Sequence, residues 1–320
     1  MPSAIYSKIS VPAEPSSRAR GGSEAAALWV SLRPQQWTKN LLVLAGVVFS
    51  GSAMAPAKLA AAGGATALFC LASSAAYLLN DLRDRREDRR HTGKRLRPLA
   101  AGTLRPAVAK VACGALALAA AAGSLLLPPL FGMTLAAYLL LNVGYSLGLK
   151  HVAILDALLI AACFVLRAAA GAFAVGVVPS PWLTLCSMML ALLVALGKRR
   201  HELLLLEGAA GRHRASLDGY TGPLLDQLMT VAASAAVVTY SLYTLADETV
   251  QRFGTRAMLF TVPCVVYGIF RYLWLVHLRR DTGDPARLFA TDIPTLLNLA
   301  LWGALACGIV YGGLSLPNWR

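Results

Sequence analysis

Four side chains that offer oxygen ligands follow one another at helical spacing where a long apolar stretch ends, in the motif NDLRDRRED. Asn80, Asp84 and Asp88 are spaced i, i+4 and i+8, and Asp81 precedes Asp84 by three residues. On a continuous helix all four project from one face, where the carboxylates repel one another unless a cation lies between them. Mg²⁺ prefers oxygen ligands and often bridges one or two carboxylates to substrate phosphates. The motif therefore predicts a magnesium site. The alternative is a solvated helix end whose Asp and Arg residues pair with each other.

Basic residues surround this acidic face. Arg83 lies between the acids, and Lys94, Arg95 and Arg97 follow within the turn HTGKRLRPLAAG. Arginine guanidinium groups bind phosphate oxygens well, often through two parallel hydrogen bonds. A basic turn that contains glycine, next to an acidic metal face, indicates a substrate rich in phosphate. The alternative for each of these side chains is contact with anionic lipid headgroups.

A second set of candidates spans the turn between two later apolar segments, in the motif YSLGLKHVAILD. Asp156 begins an apolar helix, where it either provides a second carboxylate for Mg²⁺ or for the hydroxyls of a sugar donor, or caps the helix. Tyr145 and Lys150 are placed to contact phosphate. Arg167 lies eleven residues after Asp156 on nearly the same helix face. A buried arginine in a membrane is costly enough to indicate a function, and its alternative is a structural pair with a helix carbonyl or with Asn142.

Two further basic motifs lie at the ends of apolar segments. The first, RPQQWTKN, provides Lys39 and Asn40 where an interfacial helix begins. The second, GKRRHE, provides Lys198 and Arg199 at a membrane edge. All four are candidate ligands of a phosphate, although most charges in such positions only determine topology.

These motifs must be positioned by helices that cross a membrane. Of the 320 residues 57% are hydrophobic and only 14% are charged, and the mean hydropathy is +0.59. Charged residues make up about a quarter of a typical soluble domain, so this composition excludes a soluble or a disordered protein. We predict an all-α, polytopic integral membrane protein with nine transmembrane helices around a cytoplasm-facing cavity, after a flexible cytoplasmic tail of residues 1–26. The nine apolar segments, most of them near the roughly 20 residues that cross a bilayer, are 27–53, 62–80, 107–127, 129–148, 153–175, 181–197, 224–245, 256–277 and 294–314.

The basic residues determine the predicted orientation. The chain has 30 Lys and Arg against 16 Asp and Glu, a net charge of +14, and with the N-terminus inside, 25 of the 30 fall on one side of the membrane. Such an asymmetry marks the cytoplasmic side, so an odd number of helices leaves the C-terminus outside. Every long polar loop is then cytoplasmic, and we expect the chemistry at that face. The membrane topology explains the positive charge without nucleic acid as a partner.

Together these motifs resemble the UbiA-type prenyltransferase superfamily: an N-D-x-x-D-x-x-x-D face, then KRLRPLAAG, then an acidic residue after a YSLGLK turn. Longer strings, RPQQWTKN, FVLRA, LGKRRHEL and FRYL, are similar to the decaprenyl-phosphate phosphoribosyltransferase branch of that superfamily. The resemblance runs from about residue 30 to 312 and implies one transmembrane transferase domain over residues 27–320. Members of the superfamily are intramembrane enzymes of about nine helices that hold a diphosphate through Mg²⁺ at two acidic motifs.

The branch implies Mg²⁺-dependent transfer of 5-phosphoribose from 5-phosphoribosyl 1-diphosphate to a polyprenyl (decaprenyl) phosphate, with release of diphosphate, for the synthesis of cell-wall arabinan. It also implies a multi-pass protein of the bacterial inner membrane, in contact with membrane lipids and able to form a homo-oligomer. The metal ligands implied in this way are Asn80, Asp81, Asp84 and Asp88, and the catalytic residues are Asp84, Asp88 and Asp156. The predicted substrate-binding residues are Lys39, Asn40, Arg83, Lys94, Arg95, Arg97, Tyr145, Lys150, Asp156, Arg167, Lys198 and Arg199.

One departure from the wider superfamily bears on the donor. Enzymes that use prenyl diphosphates usually have two or more Asp in the second motif, whereas Asp156 stands alone behind Lys150, which favours a donor with an additional phosphate. The main alternative is a prenyltransferase that moves an isoprenoid from its diphosphate to an aromatic or other small acceptor. A transporter or lipid flippase is a third interpretation. Against it, transporters place buried charges near the midplane, whereas nearly all charge here falls on one side.

Overall fold

The computed structural model describes residues 23–90, 93–207, 219–278 and 291–312, and within these ranges all regular secondary structure is helical. Eight of the helices described are long and apolar enough to cross a membrane, as expected of a multi-pass membrane protein. The α-helices are α1 (Glu24–Leu32), α2 (Ala45–Phe49), α3 (Pro56–Arg90), α4 (Pro98–Ala101), α5 (Pro106–Ser124), α6 (Pro129–Leu147), α7 (Leu155–Ala174), α8 (Pro181–Glu207), α9 (Gly222–Leu245), α10 (Asp247–Phe253), α11 (Val262–Leu278) and α12 (Ile293–Tyr311). The 3₁₀-helices are Pro34–Leu44, Lys94–Leu96, Leu149–His151 and Ala257–Thr261.

Proline begins many of these helices. It occupies the first position of α3, α4, α5, α6 and α8 and the second position of α9 and α12. Proline has no amide hydrogen and a φ near the helical value, so it fits the first turn, where the backbone N–H groups have no partner within the helix. The same residue cannot continue a preceding helix, so each of these prolines separates one span from the connection before it.

The first predicted segment, 27–53, is not a single helix. α1 ends at Leu32, and Arg33 takes a left-handed conformation (φ 54°) before the 3₁₀-helix Pro34–Leu44. The physical reason is Pro34, because proline disfavours the α-helical conformation in the residue before it and cannot donate a backbone hydrogen bond. Beside the eight long helices of the described ranges there is thus one interrupted segment, and a ninth crossing stays a prediction.

This interrupted segment runs along most of α3. Arg33 contacts Asp81 near one end of α3, and Val47 packs against Ala62 towards the other end. The stretch from Ala62 to Asp81 corresponds to about 28 Å of α-helix, which is close to the roughly 30 Å of a bilayer's hydrocarbon core. The segment is therefore long enough for a crossing, even though it is not one α-helix.

Backbone contact holds the same segment against α7. A Cβ atom added to Gly171 would lie 1.8 Å from the carbonyl oxygen of Val43, and one added to Gly46 would lie 2.3 Å from the carbonyl carbon of Gly171. Small residues let helices approach this closely inside membranes. No larger side chain fits at either glycine, so the position of the segment relative to α7 is fixed.

The remaining helices pack around two apolar cores. One core lies among α3, α6 and α7, where the ring of Phe69 contacts those of Phe131 and Tyr138. The other lies among α8, α9 and α11 and includes the fully buried Leu193 and Leu225. α7 packs on both α6 and α8 and joins the two halves. At the end of the bundle where α3, α6 and α8 finish and α7 and α9 begin, charged side chains replace these apolar cores.

Candidate active site

α3 continues without a break from its apolar part to Arg90, as the spacing of the acidic motif predicts. Asn80, Asp81, Asp84 and Asp88 therefore lie on successive turns at one end of the bundle. Their partners divide them into two pairs: Asp81 and Asp88 share one arginine, whereas Asn80 and Asp84 share one lysine.

Arg97 links the first pair. Its Nη1 donates to Asp81 Oδ1 at 3.1 Å and to Asp88 Oδ2 at 2.8 Å. Arg33 adds a second cation, because its Nη2 lies 2.6 Å from the same oxygen of Asp81 and its guanidinium lies 4.9 Å from the ring centroid of Tyr77. Both carboxylates are buried, while the two arginines are partly exposed. The acids of this pair are thus neutralised by cations that also face the solvent side.

Lys150 links the second pair. It lies in the 3₁₀ turn that follows Gly148, and its side chain is buried. Its Nζ lies 3.4 Å from Asn80 Oδ1 and forms a salt bridge with Asp84. The turn between α6 and α7 thus places an ammonium group between an amide oxygen and a carboxylate, in the position that another cation would take.

The donor set of this second pair fits a divalent cation that is shared with a substrate. Asn80 and Asp84 offer two oxygen ligands one helical turn apart, and Lys150 already places a positive charge between them. Over the described ranges, no three His, Cys, Asp or Glu side chains lie close enough to bind a metal by themselves. Mg²⁺ often takes only one or two protein carboxylates and completes its coordination with water and phosphate oxygens. The residues present fit Mg²⁺ held partly by substrate phosphates.

Asp156 lies in a separate cluster, in which it and Arg199 are fully buried while Glu202 is partly exposed. Its Oδ2 accepts from Arg199 Nε at 2.5 Å, and its Oδ1 accepts from the Tyr220 hydroxyl at 2.9 Å and from the amide of Ala157 at 2.8 Å. Arg199 also donates to Glu202 at 2.5 Å. Each oxygen of Asp156 therefore has a donor from the chain itself, and its predicted role at a metal or sugar stays a prediction.

Tyr220 ties the beginning of α7 to the chain that precedes α9. Its hydroxyl accepts from the amide of Ile154 at 2.6 Å and donates to Asp156. Burial raises the pKa of Tyr220 to about 12, so the hydroxyl stays protonated and acts as a donor at neutral pH. Ile154 has a φ of 69°, which is unusual for a β-branched residue, and the bond to its amide helps to hold this strained turn.

Arg167 lies deeper in the bundle. Its Nε donates to Asn40 Oδ1 at 2.9 Å, its Nη2 to the Tyr138 hydroxyl at 2.9 Å and its Nη1 to the carbonyl of Cys163 at 3.2 Å. The helix carbonyl expected for a structural role is present, but the amide partner is Asn40 rather than Asn142. A buried arginine with three partners of this kind is paired as membrane burial requires, and its role towards a substrate stays a prediction.

The other predicted ligands differ in exposure. Lys39, Lys94 and Tyr145 are half-buried, and Tyr145 lies close enough to Arg199 to interact with it electrostatically. The exposed ones are Arg83, Arg95 and Lys198. Of the predicted residues, the structure brings together around α3 Asn80, Asp81, Asp84, Asp88, Arg97 and Lys150.

An apolar cavity of about 440 Å³ lies beside the middle of α7. It lies among α7, α8, α11, α12 and residues 42–50, and its walls include Val165, Ala168 and Ala169, the neighbours of Arg167 along α7. Cavities of this size commonly hold small ligands, and mainly apolar walls suit a hydrocarbon chain. The polar end of the bundle and an apolar interior space therefore lie next to each other.

Residues 40–296 match the model of the UbiA prenyltransferase family. This chain belongs to the UbiA prenyltransferase family.

Two relatives in the UbiA family cover most of the chain. The decaprenyl-phosphate phosphoribosyltransferase of Mycolicibacterium smegmatis is 40% identical over 291 residues, which are 88% of this chain and 92% of that protein. The decaprenyl-phosphate phosphoribosyltransferase of Corynebacterium glutamicum is 39% identical over 262 residues, which are 79% of this chain and 76% of that protein.

A solved structure in the UbiA family shows the same fold. It is a UbiA homolog from Archaeoglobus fulgidus bound to DMAPP and Mg²⁺, with a TM-score of 0.69 at 19% identity. The similarity covers 90% of this chain and 99% of that one. The all-helical architecture is therefore the UbiA architecture.

Three residues of the two clusters in this UbiA protein were not among the predicted ligands. Arg33 is the first residue of the RPQQWTKN motif, but nothing in that motif shows that it lies beside Asp81. Glu202 follows Arg199 by three residues, a helical spacing that could have indicated the pair. Tyr220 had no local signal, because its partner is 64 positions away.

Proposed function

We propose that this UbiA-family protein transfers 5-phosphoribose from 5-phosphoribosyl 1-diphosphate to a polyprenyl phosphate, with decaprenyl phosphate as the expected acceptor, and releases diphosphate. Two relatives at 40% and 39% identity, both decaprenyl-phosphate phosphoribosyltransferases, support this reaction. The structural observation that carries the proposal is the row of carboxylates on α3, each paired with a cation of the chain that can bind a phosphate instead.

The α3 cluster is balanced in charge by the chain alone. Three carboxylates face three cations, which are Asp81, Asp84 and Asp88 and Arg33, Arg97 and Lys150. A donor that brings a diphosphate, a further phosphate and Mg²⁺ can exchange these partners, because carboxylates bind the metal while guanidinium and ammonium groups bind phosphate oxygens. The exchange gives each carboxylate and each cation of the cluster a new partner of opposite charge, which matters because an unpaired buried charge is costly.

The proposed reaction exchanges one bond at the anomeric carbon of the ribose. The C1–O bond to the diphosphate breaks, its electron pair leaves with the diphosphate oxygen, and an oxygen of the acceptor phosphate forms the new bond to C1. Mg²⁺, when bound, supplies positive charge to the departing diphosphate. Lys150 and Arg97 donate hydrogen bonds where that negative charge develops. The acceptor phosphate is already an anion, so the chain need not supply a strong base.

The apolar cavity supports a lipid as the acceptor. Its walls are largely hydrocarbon, and they include Ala168, the residue next to Arg167 in α7. An acceptor whose tail lies in the membrane interior would bring its phosphate to the polar donor without leaving the bilayer. Holding the two reactants together in this way is a large part of the rate enhancement available to the site.

The proposed location is a bacterial inner membrane with the site at the cytoplasmic face, and the product would serve cell-wall arabinan synthesis. The distribution of charge supports the orientation, because 25 of the 30 Lys and Arg fall on the side of the acidic motif.

The experiment that tests the proposal is transfer of label from radiolabelled 5-phosphoribosyl 1-diphosphate to decaprenyl phosphate by the purified full chain in detergent. We expect a labelled lipid and the release of one diphosphate per labelled lipid molecule. A chelator should abolish the formation of both products, and added Mg²⁺ should restore it. A parallel reaction with a prenyl diphosphate and an aromatic acceptor tests the main alternative. Prenylation there, without labelled lipid in the first reaction, would overturn the proposal.

A further inference from the structure

The end of the cavity farthest from the carboxylates has polar groups that the proposed reaction does not use. Its walls there include Ser180, which directly precedes α8, and Arg252 of α10. Arg199 lies near the opposite end of α8, and Tyr220 lies before the opposite end of α9, the helix that leads into α10. The cavity therefore reaches from Ala168 and Ala169 in the interior to the other surface of the bundle.

Ser180 provides a buried hydroxyl at this far end. The residue is 6% exposed, and within the described part of the chain its Oγ is buried without a hydrogen-bond partner. Such a group is unusual, because a buried hydroxyl without a partner costs free energy relative to one that is bonded. Because Ser180 lines the cavity, rotation about its Cα–Cβ bond would let a ligand there accept a hydrogen bond from this hydroxyl.

Arg252 provides a positive charge in the lining of the same cavity. It is exposed, and among the residues that the structure describes it has no ion pair within 4 Å, although Asp247 and Glu248 begin the same short helix. A guanidinium group with this freedom is suited to a phosphate. Beyond these two polar residues, the walls of the cavity are mainly apolar.

The dimensions of the cavity suit a lipid. Ser180 and Val194 both line it, and the stretch of α8 between them is about 21 Å long. That length takes a hydrocarbon chain from the membrane surface well into its core. A cation and a hydroxyl donor at the surface, followed by apolar walls, match a molecule with an anionic headgroup and a hydrocarbon tail.

We propose that Ser180 and Arg252 bind the phosphate of a lipid whose chain lies in this cavity, with the headgroup at the end of the bundle opposite the α3 carboxylates. A phospholipid and a polyprenyl phosphate share this chemistry. The proposal concerns binding alone, and a lipid held in this way would occupy the cavity that the proposed reaction assigns to the tail of the acceptor.

The test is retention of lipid by the full chain in native mass spectrometry, with dioleoyl phosphatidic acid as the probe and dioleoylglycerol as its match without phosphate. We expect Arg252→Gln to weaken retention of phosphatidic acid about tenfold and Ser180→Ala to weaken it about threefold, as expected for the loss of one charged and one neutral hydrogen-bonding group. Arg252→Lys keeps the charge and should retain most of the binding. Arg256→Gln removes a nearby exposed charge outside the cavity walls and serves as the control.

A second measurement identifies the lipid. Decaprenyl phosphate is added in competition with phosphatidic acid, and either lipid supports the proposal if its retention depends on Arg252. Equal retention of phosphatidic acid and dioleoylglycerol would overturn the proposal. Unchanged retention of phosphatidic acid in both Arg252→Gln and Ser180→Ala would do the same. Neither measurement depends on the transfer reaction, so lipid retention can be interpreted even if the proposed reaction does not occur.

Discussion

Two ion-pair clusters at the same end of the bundle differ in how completely the protein encloses them. In the α3 cluster, Arg33 and Arg97 are 26% and 25% exposed and Asp84 is 18% exposed. In the other cluster, Asp156 and Arg199 are 0% and 2% exposed. Acidic and basic side chains build both clusters, but only the first has cations, Arg33 and Arg97, that can turn towards a ligand without opening the core.

The difference separates a region suited to binding from a region suited to holding helices together. Asp156 joins the beginning of α7 to α8 through Arg199 and to the chain before α9 through Tyr220. Removing one partner of a buried pair leaves the other unpaired, at a cost of about 3–5 kcal/mol, whereas exposed pairs contribute little. We therefore expect substitutions in the first cluster to change chemistry and substitutions in the second to change stability.

The largest expected effect is that of Asp84→Asn on transfer. The amide keeps the size and one acceptor oxygen but loses the charge, so we expect the transfer rate to fall at least about 100-fold, the scale on which electrostatic groups act in active sites. The radiolabel assay measures this, and the thermal unfolding of the detergent-solubilised protein should show a folded variant with a moderate loss of stability, because the buried Lys150 loses its charged partner but keeps two amide oxygens. Arg105→Gln, which breaks an exposed pair with Glu24 away from the site, is the control. Full activity of the Asn variant would show that Asp84 is not part of the active site.

The next effect is on stability. Asp156→Ala should lower the free energy of unfolding by about 3 kcal/mol, because Arg199 keeps only the partly exposed Glu202 as an ionic partner and the Tyr220 hydroxyl loses its acceptor. The double variant Asp156→Leu/Arg199→Met removes both charges and should recover most of the loss. A denaturant titration in detergent measures both. A double variant that is stable but wholly inactive would show that Asp156 acts on the substrate, as the sequence motif predicts. The second cluster would then serve the reaction as well as stability.

Arg97→Gln is expected to have two smaller effects of opposite sign, one on metal binding and one on donor binding. Without its guanidinium, Asp81 and Asp88 are freer to attract a divalent cation, so Mn²⁺ should bind about tenfold more tightly in the absence of donor. The same change removes a phosphate ligand and should weaken donor binding about tenfold, since a charge-assisted hydrogen bond contributes about 1.5–3 kcal/mol. Electron paramagnetic resonance of Mn²⁺ and the KM for the donor measure the two effects. If the affinities for Mn²⁺ and for the donor changed in the same direction, Arg97 would not exchange its carboxylate partners for a donor phosphate.

The smallest effect is expected for Tyr220→Phe, which deletes only the hydroxyl. We expect a loss of about 1 kcal/mol of stability at neutral pH, typical of one hydrogen bond. The pH dependence adds a second readout. Burial raises the pKa of Tyr220 from 10.0 to about 12, so the wild-type protein should lose stability as the pH rises through that window, because the unfolded chain releases the proton first. The Phe variant should lack this part of the loss, and identical curves would contradict the assignment.

The sequence predicts the parts of this comparison that depend on neighbours along the chain. The spacing of Asn80, Asp84 and Asp88 predicts a helix that carries all of them, and α3 confirms it. Eight apolar segments predict eight long helices for the same reason, since helical periodicity and length are local properties. The structure of the first segment was harder to predict, because its apolar composition indicates one helical span while Pro34 interrupts the α-helix.

Pairing between distant positions was not predictable. Arg33 and Asp81 are 48 positions apart, and Tyr220 and Asp156 are 64 apart. Only packing of the helices brings such residues together, and nothing in a single motif records it. The motifs also gave no sign that Asp156 is enclosed while Asp84 is partly open, because burial is decided by the helices around each residue.

The winding of the first segment determines how far it reaches. A 3₁₀-helix rises about 2.0 Å per residue against 1.5 Å for an α-helix, so Pro34–Leu44 covers about 22 Å instead of about 16 Å. Because Gly46 is fixed against Gly171, the difference of roughly 5 Å falls at the other end, where Arg33 lies. One turn of α3 has about the same length. With α-helical winding, Arg33 would lie about one turn short of Asp81. The 3₁₀ winding is longer per residue and therefore places the guanidinium of Arg33 beside the acidic motif.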